Sequence, residues 1–151
     1  MSTAHEYLVK VKWIGGRDGQ GVSHSIRSGH TAALGVPSEF GGTNEGTNPE
    51  ELLTSAIAAC YSITFGIIAA NRKLPFEGIE TEAKGQVEQR TGMFVFTRVE
   101  ISPTIRLAAD ATDEQIALAN DIAHKADGYC IITNAVRDKV QIEVSPNIVK
   151  G

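Results

Sequence analysis

Residues 48–71, NPEELLTSAIAACYSITFGIIAAN, constrain what this chain can fold into more than any other stretch. They open as a helix should. Asn48 is a good N-cap, Pro49 suits the first helical position, and Glu50 and Glu51 complement the positive end of the helix dipole. Beyond that start the residues are apolar or small apart from Thr54, Ser55, Tyr61, Ser62 and Thr64, and no charge interrupts them before Arg72. Such a helix is expected to be buried on most sides. Hydroxyl residues break its apolar run and Asn71-Arg72-Lys73 closes it, which argues against a membrane span. In its middle sits Cys60.

The 151 residues fit a single domain, residues 1–151, with enough chain to bury a sizeable core without staples. A formal charge of −4 and a pI near 5.5 argue against nucleic-acid binding, for which a clustered basic surface is expected. The first residues, Met1-Ser2-Thr3-Ala4-His5-Glu6, carry neither a basic region nor an apolar segment. A cytoplasmic protein with no membrane partner is therefore expected. In that compartment Cys60 and Cys130 are not expected to form a structural disulfide. They are either a redox pair or two unrelated buried thiols, and spacing alone does not choose.

Around the helix the pattern alternates between strand and helix signals. Tyr7, Val9, Val11 and Trp13 alternate with Leu8, Lys10 and Lys12, which predicts a strand with one buried face. Gly15-Gly16-Arg17-Asp18-Gly19 is a turn in which flexible backbone surrounds a long cationic side chain. Residues 22–27 and 31–34 read as two short strands, and residues 37–47 as a glycine-rich loop into the helix. After the helix, Ile79, Thr81, Ala83, Gly85 and Val87 alternate with polar residues. The chain turns at 89–92, and residues 94–107 return with Val95, Thr97, Val99 and Ile101 on one face, so a β-hairpin is expected. Thr112-Asp113-Glu114-Gln115 has the form of a capping box, opening a helix with Ile116, Ala119, Ile122, Ala123 and Ala126 in one stripe and Asp127-Gly128 at its end. A short helix over 130–136 and a last strand through Val140, Ile142 and Val144 complete the order. This is an α+β pattern, with antiparallel strands packed on helices. Two hairpins hardly cover so apolar a helix, and a homodimer that pairs two copies of it would.

The chemistry starts from the thiolate, which reacts where the thiol does not; an unperturbed cysteine has a pKa of about 8.5. A guanidinium nearby lowers it, and Arg17 in its glycine turn is a candidate, with Glu50 able to fix it through a bidentate pair. Ten positions separate Glu50 from Cys60, about 15 Å on one straight helix. They cannot meet within it. Either the helix breaks or the groups come from a second subunit. Cys130, at the start of the short helix, lies where unpaired amides also favour a thiolate. A peroxide-reducing cysteine becomes a sulfenic acid that a second thiol can condense with, and Cys130 would be that thiol.

Four pieces in order, Gly15-Gly16-Arg17-Asp18-Gly19, then Gly46-Thr47-Asn48-Pro49-Glu50-Glu51-Leu52, then Ala58-Ala59-Cys60, then Cys130 ahead of Asn134-Ala135-Val136-Arg137, make the chain resemble the OsmC/Ohr family. These are the osmotically inducible and organic hydroperoxide resistance proteins, and the glycine-flanked arginine resembles the Ohr branch. The resemblance implies antiparallel sheets packed around a long buried central helix, in an intertwined homodimer. It implies a cysteine-based peroxidase for organic hydroperoxides, with Cys60 peroxidatic, Cys130 resolving, and Arg17 and Glu50 matching the family's arginine and glutamate. An external dithiol, lipoyl groups in the Ohr branch, is the implied reductant. One departure stands out: the family follows its second cysteine in a Cys-Pro-x-Ser pattern, and here Cys130 is followed by Ile131-Ile132-Thr133.

The apolar residues Ile57, Tyr61, Ile63 and Phe65 around Cys60 suggest room for an alkyl or aryl peroxide tail. His5, His24, His30 and His124 show no ligand spacing with the cysteines, so no metal is expected. No nucleotide fingerprint is present, and no cofactor is expected. The alternative function is an OsmC-like dimer that holds a small apolar ligand without turnover.

Overall fold

The computed structural model describes residues 2–151 and divides the chain into two compact units, one ending at Leu52 and the other spanning Leu53–Gly151. The first unit is a three-stranded antiparallel sheet in the order β1 (Val9–Ile14), β2 (Gln20–Ser25), β3 (Thr31–Leu34). Register sets Val9 against Ser25, Val11 against Ser23 and Trp13 against Gly21, so large residues of β1 face small ones of β2. The pairing of Trp13 with glycine is steric: a Cβ at Gly21 would lie 2.7 Å from the indole ring. The indole N–H donates to the Gly15 carbonyl at 3.0 Å, which ties the strand to its turn. Gly15 itself has φ 101, a conformation that favours glycine.

The buried face expected for β1 is not found. All six of its residues are exposed, Val11 at 62% and Trp13 at 39%. Alternation puts Val9, Val11 and Trp13 on one side, but none of the three is buried.

The loop after β3 contains a single 3-10 turn at Ser38–Phe40 and returns so that Leu34 bridges Thr47. Helix α1 (Pro49–Asn71) then starts as the sequence requires: the Asn48 Oδ1 accepts from the Glu51 N–H at 2.8 Å, and the Thr47 hydroxyl donates to the Glu51 carboxylate at 2.7 Å. The helix is unbroken to Asn71.

The second unit holds the core. A long hairpin of β4 (Phe76–Arg90) and β5 (Met93–Leu107) is its frame, turning through Thr91 and Gly92. Two strands, β6 (Gln141–Val144) and β7 (Asn147–Lys150), take successive segments of the other edge of β5, and both run parallel to it. The sheet is therefore mixed where antiparallel strands alone were expected, and β7 was not foreseen. Helix α2 (Asp113–Tyr129) begins with a complete capping box: Gln115 N–H to the Thr112 hydroxyl at 3.2 Å, Thr112 N–H to Gln115 Oε1 at 2.8 Å. It runs past the expected stop at Gly128, because the Asn134 side chain caps the Gly128 carbonyl at 2.9 Å. Cys130 joins α2 to the short helix α3 (Ile131–Val136).

Val99, Ile101, Ile105 and Leu107 of β5 pack with Ala119, Ile122, Ala123 and Ala126 of α2 and with Ile57, Tyr61, Phe65 and Ala69 of α1. The α1 residues recur every four positions, which places them on one stripe. The Tyr61 hydroxyl reaches through this core to donate to the Ala123 carbonyl at 2.6 Å, and burial pushes its pKa upward. By length and composition, with a mean hydropathy of 1.9, α1 resembles a membrane span. The packed stripe identifies it as a core helix. It is not buried on most sides, though: Ile63 is 63% and Ile67 57% exposed.

One site fixes how closely α1 lies on the sheet. A Cβ at Gly85 would come within 2.3 Å of the Thr54 hydroxyl and 2.8 Å of the Phe96 ring. Beside it the register slips, so that Gln86 pairs with Arg98 and Val87 with Phe96, leaving Thr97 as an extra residue. The bulge changes the phase of β5: Phe96, not Val95, packs on the core.

Candidate active site

Cys60 lies on α1, three positions past the core residue Ile57 and one before Tyr61, so its side chain leaves the core stripe and is half-buried. Cys130 is fully buried between α2 and α3. The two thiols lie close enough for each to shift the pKa of the other, and no disulfide joins them. Sequence spacing left open whether they meet. The α2–α3 junction brings them together, because Cys130 is at once the C-cap of one helix and the N-cap of the next.

Their electrostatics differ. Burial pushes the Cys60 thiol up, but the donors around its sulfur outweigh that: the Ile132 amide, the Cys130 thiol, the Thr64 hydroxyl and the Ile131 amide. The net pKa is below that of an ordinary cysteine. Burial also raises Cys130, and the hydrogen bond to Cys60 and the charge there raise it further, while the Thr133 hydroxyl and amide oppose the rise. Cys60 is thus set up to carry the negative charge and Cys130 the proton.

The junction is held from outside by one side chain. Arg137 donates to both carboxylate oxygens of Asp127 at 3.1 and 3.3 Å, to the Asp127 carbonyl at 2.8 Å and to Asn134 Oδ1 at 3.0 Å. The same Asn134 caps Gly128, so the end of α2 and the end of α3 are pinned across Cys130.

Arg17 and Glu50 are placed in the first unit. Arg17 stands at the tip of the β1–β2 turn, and its guanidinium donates to the Phe40 carbonyl. Its aliphatic stem lies against Gly41, where a Cβ would approach Arg17 Cδ to 2.8 Å. Glu50 occupies the first turn of α1, half-buried. Because α1 is unbroken from there to Cys60, the ten positions between them amount to about 15 Å along the axis.

Two expectations about the surroundings of Cys60 need correction. Ile57, Tyr61 and Phe65 do not offer a tail-binding surface, because the spacing of four commits them to the core and leaves each fully buried. Of the four residues expected there, Ile63 alone is open to solvent. Conversely, the reading of the sequence missed Thr133, whose hydroxyl donates to the Cys130 sulfur, and Thr64, whose hydroxyl helps to lower the Cys60 pKa. The signal was available: Thr64 is one helical turn after Cys60, and Thr133 is three residues after an N-cap.

An OsmC-like protein family model matches residues 42–145, a span that includes Glu50, Cys60 and Cys130. The chain belongs to this family. It is 31% identical to the uncharacterised protein YmaD of Bacillus subtilis over 148 residues, covering 97% of each chain. It is 30% identical to the organic hydroperoxide resistance protein of Xanthomonas axonopodis pv. citri, covering 92% of this chain and 93% of the relative. In structure this OsmC-like chain matches the organic hydroperoxide resistance protein OsmC of Legionella pneumophila with a TM-score of 0.75, at 24% identity and over 95% of this chain and 99% of the other. The α+β fold expected from the sequence is the fold of the family.

Proposed function

We propose that this OsmC-like protein is a thiol-dependent peroxidase that reduces organic hydroperoxides to alcohols in defence against oxidative stress. The observation that carries the reading is the meeting of Cys60 and Cys130, with the charge favoured on Cys60. The Cys60 thiolate attacks the distal oxygen of ROOH, the O–O bond breaks, and ROH leaves once protonated. Cys60 is left as a sulfenic acid. Cys130 then attacks the Cys60 sulfur, the S–O bond breaks, water leaves, and a disulfide remains. An external dithiol, lipoyl groups by analogy with the Ohr branch, returns both thiols.

The working form in this reading is a homodimer in the cytoplasm, each chain contributing one domain over residues 1–151. Exposed Val9, Val11 and Trp13 on β1, and Ile63 and Ile67 on α1, are the surfaces that a second copy would cover. Since α1 does not break, a Glu50 acting at Cys60 comes in this reading from the second subunit, and the Arg17 that it orients comes with it. There Arg17 stabilises the thiolate and polarises the peroxide, and Glu50 orients Arg17. The names of the organic hydroperoxide resistance relatives favour turnover over the passive binding of a ligand.

The test is the loss of free thiol in the reduced protein with one equivalent of cumene hydroperoxide, and separately of hydrogen peroxide. Two thiols lost per chain, faster with the organic peroxide, is the expected result. Cys60→Ser should lose turnover entirely, and Cys130→Ser should stall as the sulfenic acid; normal turnover in Cys60→Ser would sink the mechanism. The pH dependence has a definite sign. Reactivity of a thiol with a lowered pKa is present above that pKa and lost as pH falls through it. The midpoint of the pH profile of the first oxidation should therefore lie below that of an ordinary cysteine thiol.

A further inference from the structure

We propose that Thr133 is the positioning residue of the resolving thiol: its hydroxyl, aimed at Cys130 Sγ, orients that sulfur toward Cys60 and stabilises the negative charge it carries once its proton has left. The inference rests on the peroxidase reading and adds a residue to the four given roles in it, Cys60, Cys130, Arg17 and Glu50.

Thr133 is fully buried. Its Oγ1 donates to Cys130 Sγ at 3.0 Å, and its backbone N–H donates to the same sulfur at 3.4 Å. The second contact is that of an N-cap, in which the side chain of the capping residue accepts from the third amide of the helix. Here the acceptor is sulfur. A neutral thiol is a weak acceptor, and burying a hydroxyl against one returns little of the cost of removing it from water. Valine has the same shape and would fill the site without that cost, so stability alone does not account for a threonine.

A sulfur gaining negative charge is a different acceptor. Hydrogen bonds to ionised groups are shorter and stronger than neutral ones. The two Thr133 donors fix the orientation of the Cys130 sulfur and leave its remaining side for Cys60. When Cys60 has become S–OH, the Cys130 sulfur forms the S–S bond, the S–O bond breaks, and the departing hydroxide takes the Cys130 proton to leave as water. No further oxidant is needed, because the peroxide has already taken up the two electrons lost by sulfur. The Thr133 hydroxyl meets the negative charge on Cys130 while its proton is in transit. It meets it again in the reverse sense, when the external dithiol attacks Cys60 of the disulfide and Cys130 departs as thiolate.

The experiment separates the two oxidation steps in the full chain. Cumene hydroperoxide is added to the reduced protein, and the Cys60 sulfenic acid, trapped with dimedone, is followed apart from disulfide closure. In Thr133→Val the first step should be unchanged and closure should slow about tenfold, the effect of one lost hydrogen bond to a charged group. Its pH midpoint should move upward, and Thr133→Ser should restore both. Closure in Thr133→Val at the native rate and midpoint would overturn the proposal. Should that variant not fold, Thr133→Ala carries the same expectation. A second readout does not depend on peroxide: in the Cys60→Ser background, the ultraviolet absorbance of the Cys130 thiolate should appear at higher pH in Thr133→Val than with Thr133 present. If the native protein loses no thiol to peroxide, the peroxidase reading fails; the thiolate titration then still decides whether Thr133 acts on Cys130.

Discussion

The sheet of the second unit and the sheet of the first are built from the same alternation, and only one of them is closed. β5 turns Val99, Ile101, Ile105 and Leu107 onto α1 and α2, and all four are buried. β1 turns Val9, Val11 and Trp13 to one side as regularly, and none of its residues is buried. Periodicity tells which residues share a face. It does not tell what covers that face. In the second unit the cover is encoded within reach, as a capped helix whose alanine and isoleucine stripe matches the sheet. In the first, no described residue of that unit covers β1, which is exposed along its whole length. The homodimer proposed above follows from that contrast.

The sharpest way to test the contrast is to remove one side chain from each region. Phe65 is fully buried and packs edge-on against Phe76, with ring centroids 5.3 Å apart. Phe65→Ala should cost about 3–5 kcal/mol, read as a shift of the urea midpoint at fixed protein concentration. If Val11→Ala, at 62% exposure, cost as much in a chain shown to be monomeric, the contrast would be wrong.

Gly85 sharpens the same point from the side of overpacking. The helix rests so close here that any Cβ meets the Thr54 hydroxyl at 2.3 Å and the Phe96 ring at 2.8 Å. Gly85→Ala should destabilise by about 1–3 kcal/mol in the same assay. Gly16, in the turn after β1, has nothing within 4 Å of such an atom, and Gly16→Ala should leave stability within about 0.5 kcal/mol of the native protein.

How much of this was legible follows from where each signal lives. The start of α1, the capping box at Thr112 and the long hairpin are local patterns, and all three were readable before the fold was known. β7 was not, because Asn147–Lys150 has four residues and its parallel pairing with β5 joins residues some forty positions apart. The bulge at Thr97 was missed for a related reason: it accompanies the approach of α1 at Gly85, and nothing in the run from Met93 onward announces it. At the site, Cys60 and Cys130 were singled out by residue type and family pattern. That they meet depends on the α2–α3 junction, where helix α2 continues through Gly128 because Asn134 and Arg137 hold its end. The misjudged residues are Ile57, Tyr61 and Phe65. Their spacing of four already committed them to one stripe, and the choice between core and ligand surface is made by what lies opposite.

Smaller effects test whether the second unit is as self-contained as its core implies. Thr112→Ala removes one half of the capping box and should cost about 1 kcal/mol. Its exposure to solvent means that no cavity adds to that figure, so a loss several times larger would mean that α2 is held by its cap more than by its packing.

Val11→Ser should have the smallest effect on the fold and the most specific one on assembly. The side chain makes no buried contact within its own chain, so the substitution should change the stability of a monomer by less than about 0.5 kcal/mol. In a dimer that covers the β1 face, the same change places a hydroxyl in an apolar contact and removes two methyl groups from it. Each buried methyl-sized group contributes about 0.8 kcal/mol. Sedimentation over a range of concentrations should then show dissociation at a concentration at least about tenfold higher than for the native protein, since about 1.4 kcal/mol corresponds to a factor of ten. A native chain that sediments as a monomer throughout would remove the dimer from the mechanism. A dimer indifferent to Val11→Ser would keep it and move its interface away from β1, toward the exposed Ile63 and Ile67 of α1.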